Sequence, residues 1–367
     1  MGTADLTNAE FWRSASSYAL SAHAPLAHAP AGSVLVQTSG SEGRPKWVVL
    51  TKHAFLVSAE AVNRHLEATA DDRWLIALPT HHVGGFSIFA RAFLSGSSVH
   101  RFDEKWEAQR FADTCRRHAI TLTSLVPTQV FDLVQARVEA PASMRAVVLG
   151  GGGLSREVGL AAAALGWPVL QSYGMTEAAS QVATEPLDHL RTGFDPDALE
   201  VLPHWDVRLN EKGQLVLRGE ALATGYLCQP EPGVWTQESI GEELVTRDQT
   251  MLWSQDGRRF LRFVGRESQM LKIMGELVHL GTLQAQLEKV SGDGRCVIVD
   301  VPDERRGRGL VLVHETSEAG KVMDLFNESV APYERVLHAV RVHEIPRSAL
   351  GKVRLEELRE RLRALLP

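Results

Sequence analysis

The stretch QTSGSEGRPKWV, Gln37 to Val48, gathers the hydroxyls of Thr38, Ser39 and Ser41, the carboxylate of Glu42, the small residues Gly40 and Gly43, and the ammonium of Lys46 behind the apolar run SVLV. A glycine-rich loop that follows a strand can aim several backbone N–H groups at phosphate oxygens, with hydroxyls adding donors and a lysine adding charge. A solvated turn has the same composition. The loop does not fit G-x-x-x-x-G-K-[ST], because Pro45 precedes Lys46 and Trp47 follows it. A second glycine run, LGGGGLS with Gly150, Gly151, Gly152 and Gly153, lets backbone approach closely after a strand; a tight strand-to-helix turn explains it equally well. Arg91 stands inside the apolar run FSIFARAFL. An unpaired guanidinium is costly to bury, so Arg91 needs an anionic partner or a path to water. A protein carboxylate and a charged substrate both satisfy that need.

These loops must be positioned by something, and the pattern around them alternates strand and helix. SVLVQT, HAFLVSAEAVNRHL, RWLIALP, FSIFARAFLSG, SVHRF, WEAQRFADTCRRH, TLTSLVPTQVFDLVQARV, AVVLGGGG, EVGLAAAALG and PVLQSYG follow one another. Repeated βα alternation with glycine-rich turns predicts an α/β fold: a largely parallel sheet covered by helices, with ligands at the carboxyl ends of the strands. From about Asp206 the texture changes to short strands, DVRLN, GQLVLRG, LVTRD and RRFLRFVGR, which predicts an antiparallel β subdomain over 206–264. The polar passage FVGRESQMLK reads as a hinge. Residues 265–367 then read as a small α+β domain, with HLGTLQAQLEKV, VMDLFNESV and RLEELRERLRALL as helices and CVIVDVP and LVLVHE as strands. Residues 1–264 form the large domain on this reading.

Composition narrows the function classes. A chain of 367 residues exceeds the roughly 250 to 300 at which one core stops growing, so two domains are expected. Apolar residues at 44% and charged residues at 23% are ordinary for a soluble protein. No segment reaches the roughly 18 uninterrupted apolar residues of a membrane span. MGTADLTNAEFWRS has no basic region followed by an apolar one, which is read as cytoplasmic. A net charge of −6 with acids and bases interspersed offers no basic stripe for nucleic acid. Cys115, Cys228 and Cys296 lack metal-ligand spacing and are read as reduced structural thiols.

TSGSEGRPK resembles the phosphate-loop motif T-S-G-[ST]-x-G-x-P-K of the adenylate-forming superfamily, which includes acyl-CoA synthetases, luciferases and peptide-synthetase adenylation domains. Four further stretches resemble the superfamily's motifs in its order. SYGMTEAASQ (Ser172 to Gln181) is similar to the adenine and magnesium motif, and LVTRD, ending at Asp248, to the ribose-binding one. GRESQMLKIMG (Gly265 to Gly275) is similar to the hinge and the loop after it, and IPRSALGKVR to the C-terminal lysine loop. The resemblance implies a carboxylic acid activated on ATP with Mg2+, then passed to coenzyme A, as an ATP-dependent acid-thiol ligase. It implies that Lys352 bridges acyl carboxylate, ribose and α-phosphate, that Thr176 donates to the α-phosphate, and that Glu177 holds Mg2+. Tyr173 stacks on adenine beside Ser172, Gly174 and Met175, Gly150 to Gly152 line the adenine and acyl pockets, and Asp248 accepts from both ribose hydroxyls. Without the resemblance, Tyr173 reads more often as core, Asp248 as a cap, and Lys352 as a solvated surface charge. Arg266 falls at the hinge arginine, while Lys272 and Gly275 match the loop that meets the pantetheine arm. Ser268, Glu42 and Arg247 depart from the family's commonest residues.

LPTHHVGGFSIFARAFLSG and GMTEAASQVAT narrow the resemblance to the o-succinylbenzoate-CoA ligase branch, of menaquinone synthesis. That branch implies His82 at the junction of acyl group and thiol, although a histidine at a loop start is as often structural. It also implies Arg91 against a second substrate carboxylate, and Ser180 and Gln181 as neutral groups lining the acid's pocket. Other aryl or short acyl acids, a stand-alone carrier protein as acceptor, and a shortened non-catalytic relative are the competing readings. The phosphate loop begins at Thr38, much earlier than in most of the superfamily, so that the acyl-pocket walls either differ or are supplied by a second subunit of a homo-oligomer. No phosphopantetheine attachment signature follows Lys352, which favours free coenzyme A.

Overall fold

The computed structural model describes residues 6–22, 24–39, 45–231, 233–266, 270–273, 276–292, 294–303, 307–348, 351 and 353–363. For Ser39, Pro45, Met270, Lys272, Leu277, Gly307 and Arg363 it describes the backbone alone. The chain divides into two compact units, Met1–Thr246 with Met251–Arg262, and Arg247–Thr250 with Phe263–Pro367. Among the described residues no helix is long and apolar enough to cross a membrane.

The first unit is built on the strand and helix alternation read from the sequence. Strands Ser98–Arg101, Arg73–Ile76, Leu122–Leu125, Ala146–Leu149 and Val169–Met175 lie side by side in that order, all parallel. Leu122–Leu125 and Ala146–Leu149 are buried along their whole length, as expected of parallel strands covered on both faces. Successive side chains of a strand point to opposite faces, and the core divides accordingly. Trp74, Ile76, Leu122, Ala146, Val148 and Leu170 enter one cluster, while Leu75, Leu125, Val147, Leu149 and Val169 enter another. Helix Ala108–Arg117 covers the second face with Ala108, Phe111, Ala112 and Cys115, a spacing of three and four that makes one apolar stripe. Glu107 starts that helix by accepting from the N–H groups of Gln109 and Arg110 at 3.0 and 2.8 Å. Phe111 stacks on Trp167 at 5.9 Å between ring centres, and truncating it to alanine would cost about 3 to 5 kcal/mol.

The four short strands expected to form their own subdomain are instead part of the large sheet, and two further strands from the same region join another. Asp206–Leu209, Gln214–Arg218, Glu243–Gln255, Arg258–Arg266, Leu199–Val201 and Ser180–Thr184 continue the large sheet beyond Val169–Met175, for eleven strands in all among the described residues. Gly225–Glu231 and Val234–Ser239 instead extend the hairpin Ser33–Ser39 and Pro45–Thr51, with Gly225 opposite Val49 and Leu227 opposite Trp47. An open sheet edge presents unpaired N–H and C=O groups, and these strands satisfy two such edges at once.

The segment before the phosphate loop packs against helix Val83–Ser95. Phe86 of that helix meets Phe11, Trp12 and Tyr18 at 6.4, 5.9 and 6.0 Å between ring centres. The buried Lys52 ammonium fixes this segment by donating to the carbonyls of Phe11 and Ser14 and to the Ser14 hydroxyl, at 2.7, 3.1 and 2.8 Å.

In the second unit, strands Cys296–Asp303, Gly307–His314 and Val336–Arg341 form a sheet between helices. Ile298, Leu310 and Leu312 meet Leu283, Leu287, Val322 and Phe326 on one face; Val297, Val299, Val311 and Val313 meet Leu358 and Leu362 on the other. Asp300 interrupts this alternation. It is 1% exposed and accepts from Arg359 Nε at 3.0 Å, with Arg308 at 3.3 Å from its other oxygen.

Candidate active site

The phosphate-loop stretch closes a hairpin. Thr38 pairs with Lys46 and Ser39 with Pro45. Gly40, Ser41, Glu42 and Gly43 lie outside the described residues. Thr38 Oγ1 donates to the Lys46 carbonyl at 3.3 Å. The Lys46 ammonium sits 3.8 Å from Glu238 and 5.4 Å from the centre of the Tyr226 ring, with 39% of its side chain exposed.

Beyond strand Ala146–Leu149 the chain turns through Gly150–Gly153, with Gly151 at φ 78°. Gln171 ties this turn to the next strand: its Nε2 donates to the carbonyls of Gly152 and Ser172 at 3.0 and 2.9 Å, and its Oε1 accepts from Leu154 N–H at 3.0 Å. Ser172 Oγ donates to the Leu149 carbonyl at 2.8 Å. Strand Val169–Met175 then carries Ser172, Tyr173, Gly174 and Met175 into a one-turn helix, Thr176–Ala178. The return is tight. A Cβ on Gly174 would lie 1.8 Å from the Ser180 carbonyl oxygen, so only glycine fits there. Ala179 and Ser180 have φ of 52° and 141°, backbone that L residues rarely adopt and that costs on the order of 1 to 3 kcal/mol each.

That turn delivers Ser180 Oγ to the Arg91 guanidinium. Arg91, on helix Val83–Ser95, is 1% exposed; its Nη2 donates to Ser180 Oγ at 3.2 Å, and the guanidinium lies 5.4 Å from the Trp74 ring centre. Its Nε and Nη1 have no hydrogen-bond partner. Of the two partners the sequence left open, no protein carboxylate supplies the counter-charge among the described residues, and Arg91 does not reach water. Burial pushes its pKa down to about 9, which leaves it charged at neutral pH. Ser87, one helical turn before Arg91, comes within 3.5 Å of the same Ser180 hydroxyl. Gln181 is buried but engaged elsewhere: its Oε1 accepts from Thr184 and its carbonyl from Trp205 Nε1, at 2.8 and 3.0 Å.

His82 caps the start of the Arg91 helix through its backbone, while its side chain makes no capping bond. Its half-buried ring lies 4.3 Å from that of His81, and burial followed by His81 lowers its pKa below the ordinary value, so the imidazole is neutral at pH 7. Glu177 is also half-buried. Tyr226 Oη donates to its Oε1 at 3.2 Å.

In the second unit Asp248 is 3% exposed and accepts from Arg266 Nε at 2.7 Å. The carboxylate assigned to ribose thus holds the arginine assigned to the hinge. The Lys272 side chain, Gly275 and Lys352 lie outside the described residues.

Sequence reasoning missed Tyr226, Gln171, Ser87 and Trp74. A signal existed for the first: Gly225 sits inside a strand, where glycine marks close backbone approach, and its Cβ would fall 2.1 Å from the Glu238 carbonyl oxygen. No group of three or more His, Cys, Asp or Glu side chains that could hold a metal occurs among the described residues. A lone carboxylate at Glu177 still suits Mg2+, which keeps several waters and is bound through one or two carboxylates plus substrate phosphates.

The chain is 28% identical over 338 residues to the 2-succinylbenzoate–CoA ligase of Enterococcus faecalis, a match covering 87% of this chain and 67% of that protein. It is 26% identical over 355 residues to the 2-succinylbenzoate–CoA ligase of Bacillus subtilis, covering 90% and 69%. The solved structure of the Bacillus subtilis o-succinylbenzoate CoA synthetase, in complex with the acyl-adenylate intermediate OSB-AMP, superposes with a TM-score of 0.75 at 25% identity, covering 89% of this chain and 68% of that one. The AMP-binding enzyme family matches residues 6–227, more than half the chain, and the protein belongs to that family.

Proposed function

We propose that this protein is an ATP-dependent, AMP-forming ligase that converts 2-succinylbenzoate, through its acyl-adenylate, to the coenzyme A thioester. The observation that carries the choice of acid is the buried Arg91 cation with two unpartnered nitrogens beside Ser180. A dicarboxylic acid has one carboxylate to activate and a second that remains charged. The second supplies the counter-charge that no carboxylate among the described residues provides, and a bidentate contact to guanidinium suits it.

In the first half-reaction an oxygen of the other carboxylate attacks the α-phosphorus of ATP, the bond to the β-phosphate bridging oxygen breaks, and pyrophosphate leaves. Tyr173 stacks on adenine, Thr176 donates to the α-phosphate, Lys46 and the hairpin turn grip the departing phosphates, and Lys352 bridges the reacting oxygens. Mg2+ on Glu177 would neutralise charge on the phosphate oxygens. In the second half-reaction the thiol of coenzyme A attacks the acyl carbonyl, and AMP leaves with the bonding electrons. His82, neutral at pH 7, would take the thiol proton.

Acid-dependent exchange of pyrophosphate into ATP, run over 2-succinylbenzoate, benzoate and succinate and followed by thioester detection with coenzyme A, tests this. Exchange and thioester with 2-succinylbenzoate are expected. Exchange with benzoate alone would reject the acid, and no exchange with any acid would reject the enzyme.

A further inference from the structure

Glu177 is held at two points by one short stretch of the neighbouring sheet. Ala223 N–H donates to the Glu177 carbonyl at 2.8 Å, and Tyr226 Oη donates to the Glu177 carboxylate at 3.2 Å. The stretch between them is itself fixed. Thr224 reaches the Val49 carbonyl through both its N–H and its hydroxyl, at 2.9 and 3.2 Å, and Tyr226 pairs with Val48. Gly225 permits this course, since any Cβ there would strike the Glu238 carbonyl. The other side of Tyr226 faces the phosphate-loop hairpin, with Lys46 Nζ 5.4 Å from its ring centre and Glu238 holding the same ammonium at 3.8 Å.

A carboxylate on a short helical turn rotates freely unless one oxygen is anchored. We propose that Tyr226 is a positioning residue for metal binding: by engaging Oε1 of Glu177 it presents Oε2 to a divalent cation, and it couples that oxygen to Lys46 across one aromatic ring. The inference rests on the adenylation reading of this site. Groups that hydrogen-bond a ligating carboxylate typically change metal affinity by about 10- to 100-fold when removed.

The test is calorimetric titration of Mg2+ into the full chain at fixed ATP, without acid, for the wild type, Tyr226→Phe, Glu177→Gln and the double variant. Tyr226→Phe keeps the ring over Lys46 and loses only the donor. The half-saturating Mg2+ concentration is expected to rise about tenfold in Tyr226→Phe, with ATP binding in EDTA unchanged. The double variant is expected to lose less than the sum of the single losses, because Tyr226 acts through Glu177. An unshifted Mg2+ midpoint in Tyr226→Phe overturns the inference, as does an equal loss of ATP binding in EDTA. Wild-type protein that binds no ATP at all overturns the adenylation reading beneath it.

Discussion

Arg91 and Asp300 look alike in sequence: each is one charge inside an apolar run, FSIFARAFL and CVIVDVP, and each is 1% exposed in the structure. Their surroundings differ. Asp300 has Arg359 on one oxygen and Arg308 on the other, so its charge is neutralised inside the fold and locks helix Leu355–Arg363 onto the sheet. Arg91 has a serine hydroxyl and the face of an indole. Burial of a charge does not mark a binding site, since folds bury ion pairs for their own stability. A buried charge whose counter-ion is missing does mark one, because the several kcal/mol of lost hydration must be recovered when something binds.

Arg91→Met keeps an unbranched apolar stem and removes the charge. Losing the partner of a buried carboxylate costs about 3 kcal/mol, so kcat/KM for 2-succinylbenzoate is expected to fall about a hundredfold. With a monocarboxylate such as benzoate the loss should be small. The melting temperature should not fall, because an uncompensated buried charge has been replaced by an apolar group. A lower melting temperature with unchanged preference between the acids would make Arg91 a structural ion like Asp300.

Asp300→Ala should give the opposite pattern. It leaves Arg359 and Arg308 facing an apolar sheet, at a cost of about 3 kcal/mol to the second unit, read as a lower urea midpoint. Because both arginines are partly exposed and can turn to water, the lower end of the usual range applies. Discrimination between 2-succinylbenzoate and benzoate should stay as in the wild type.

How far the sequence reaches follows from these two residues. Local signals carried the strand and helix alternation, because LTSL and AVVL are continuous apolar runs and AQRFADTCRR repeats apolar residues at three and four. They did not carry the division of the later strands between two sheets. The pairing of Gly225–Leu227 with Trp47–Val49 joins segments far apart in the chain, and nothing local encodes it. In the site, an arginine in an apolar run is visible, whereas the absence of a carboxylate opposite it among the described residues emerges only on folding. The same holds for Ser180: its identity is plain, but the positive φ that turns its hydroxyl to Arg91 leaves no mark when the residue is not glycine.

His204 sharpens the contrast through pH. Neither of its ring nitrogens has a partner, and burial lowers its pKa from 6.5 to about 4. An imidazole resolves such a burial by becoming neutral, which a guanidinium cannot do near neutral pH. Between pH 6.5 and 4 the unfolded chain holds more protons at this position, so its stability is fully present above 6.5 and is lost as pH falls toward 4. His204→Phe should reduce the slope of stability against pH in that window by up to about 1 kcal/mol per unit, measured by urea unfolding. An unchanged slope would mean that water reaches the ring.

Ser180→Ala is the smallest change and separates two accounts of Arg91. If Ser180 were the true partner of the guanidinium, removing its hydroxyl would leave a buried cation with no hydrogen bond, and both stability and acid binding would fall by several kcal/mol. If the true partner is the substrate's second carboxylate, the hydroxyl only orients Nη2 while the site waits. A hydrogen bond from a charged donor contributes about 1.5 kcal/mol at the low end of its range, so KM for 2-succinylbenzoate should rise only about tenfold, with kcat unchanged. Ser87, 3.5 Å away, offers a second hydroxyl that can move toward Nη2 and soften the loss further. The double variant Ser87→Ala with Ser180→Ala should therefore lose more than the two single changes added together, in a cycle read on KM for the acid.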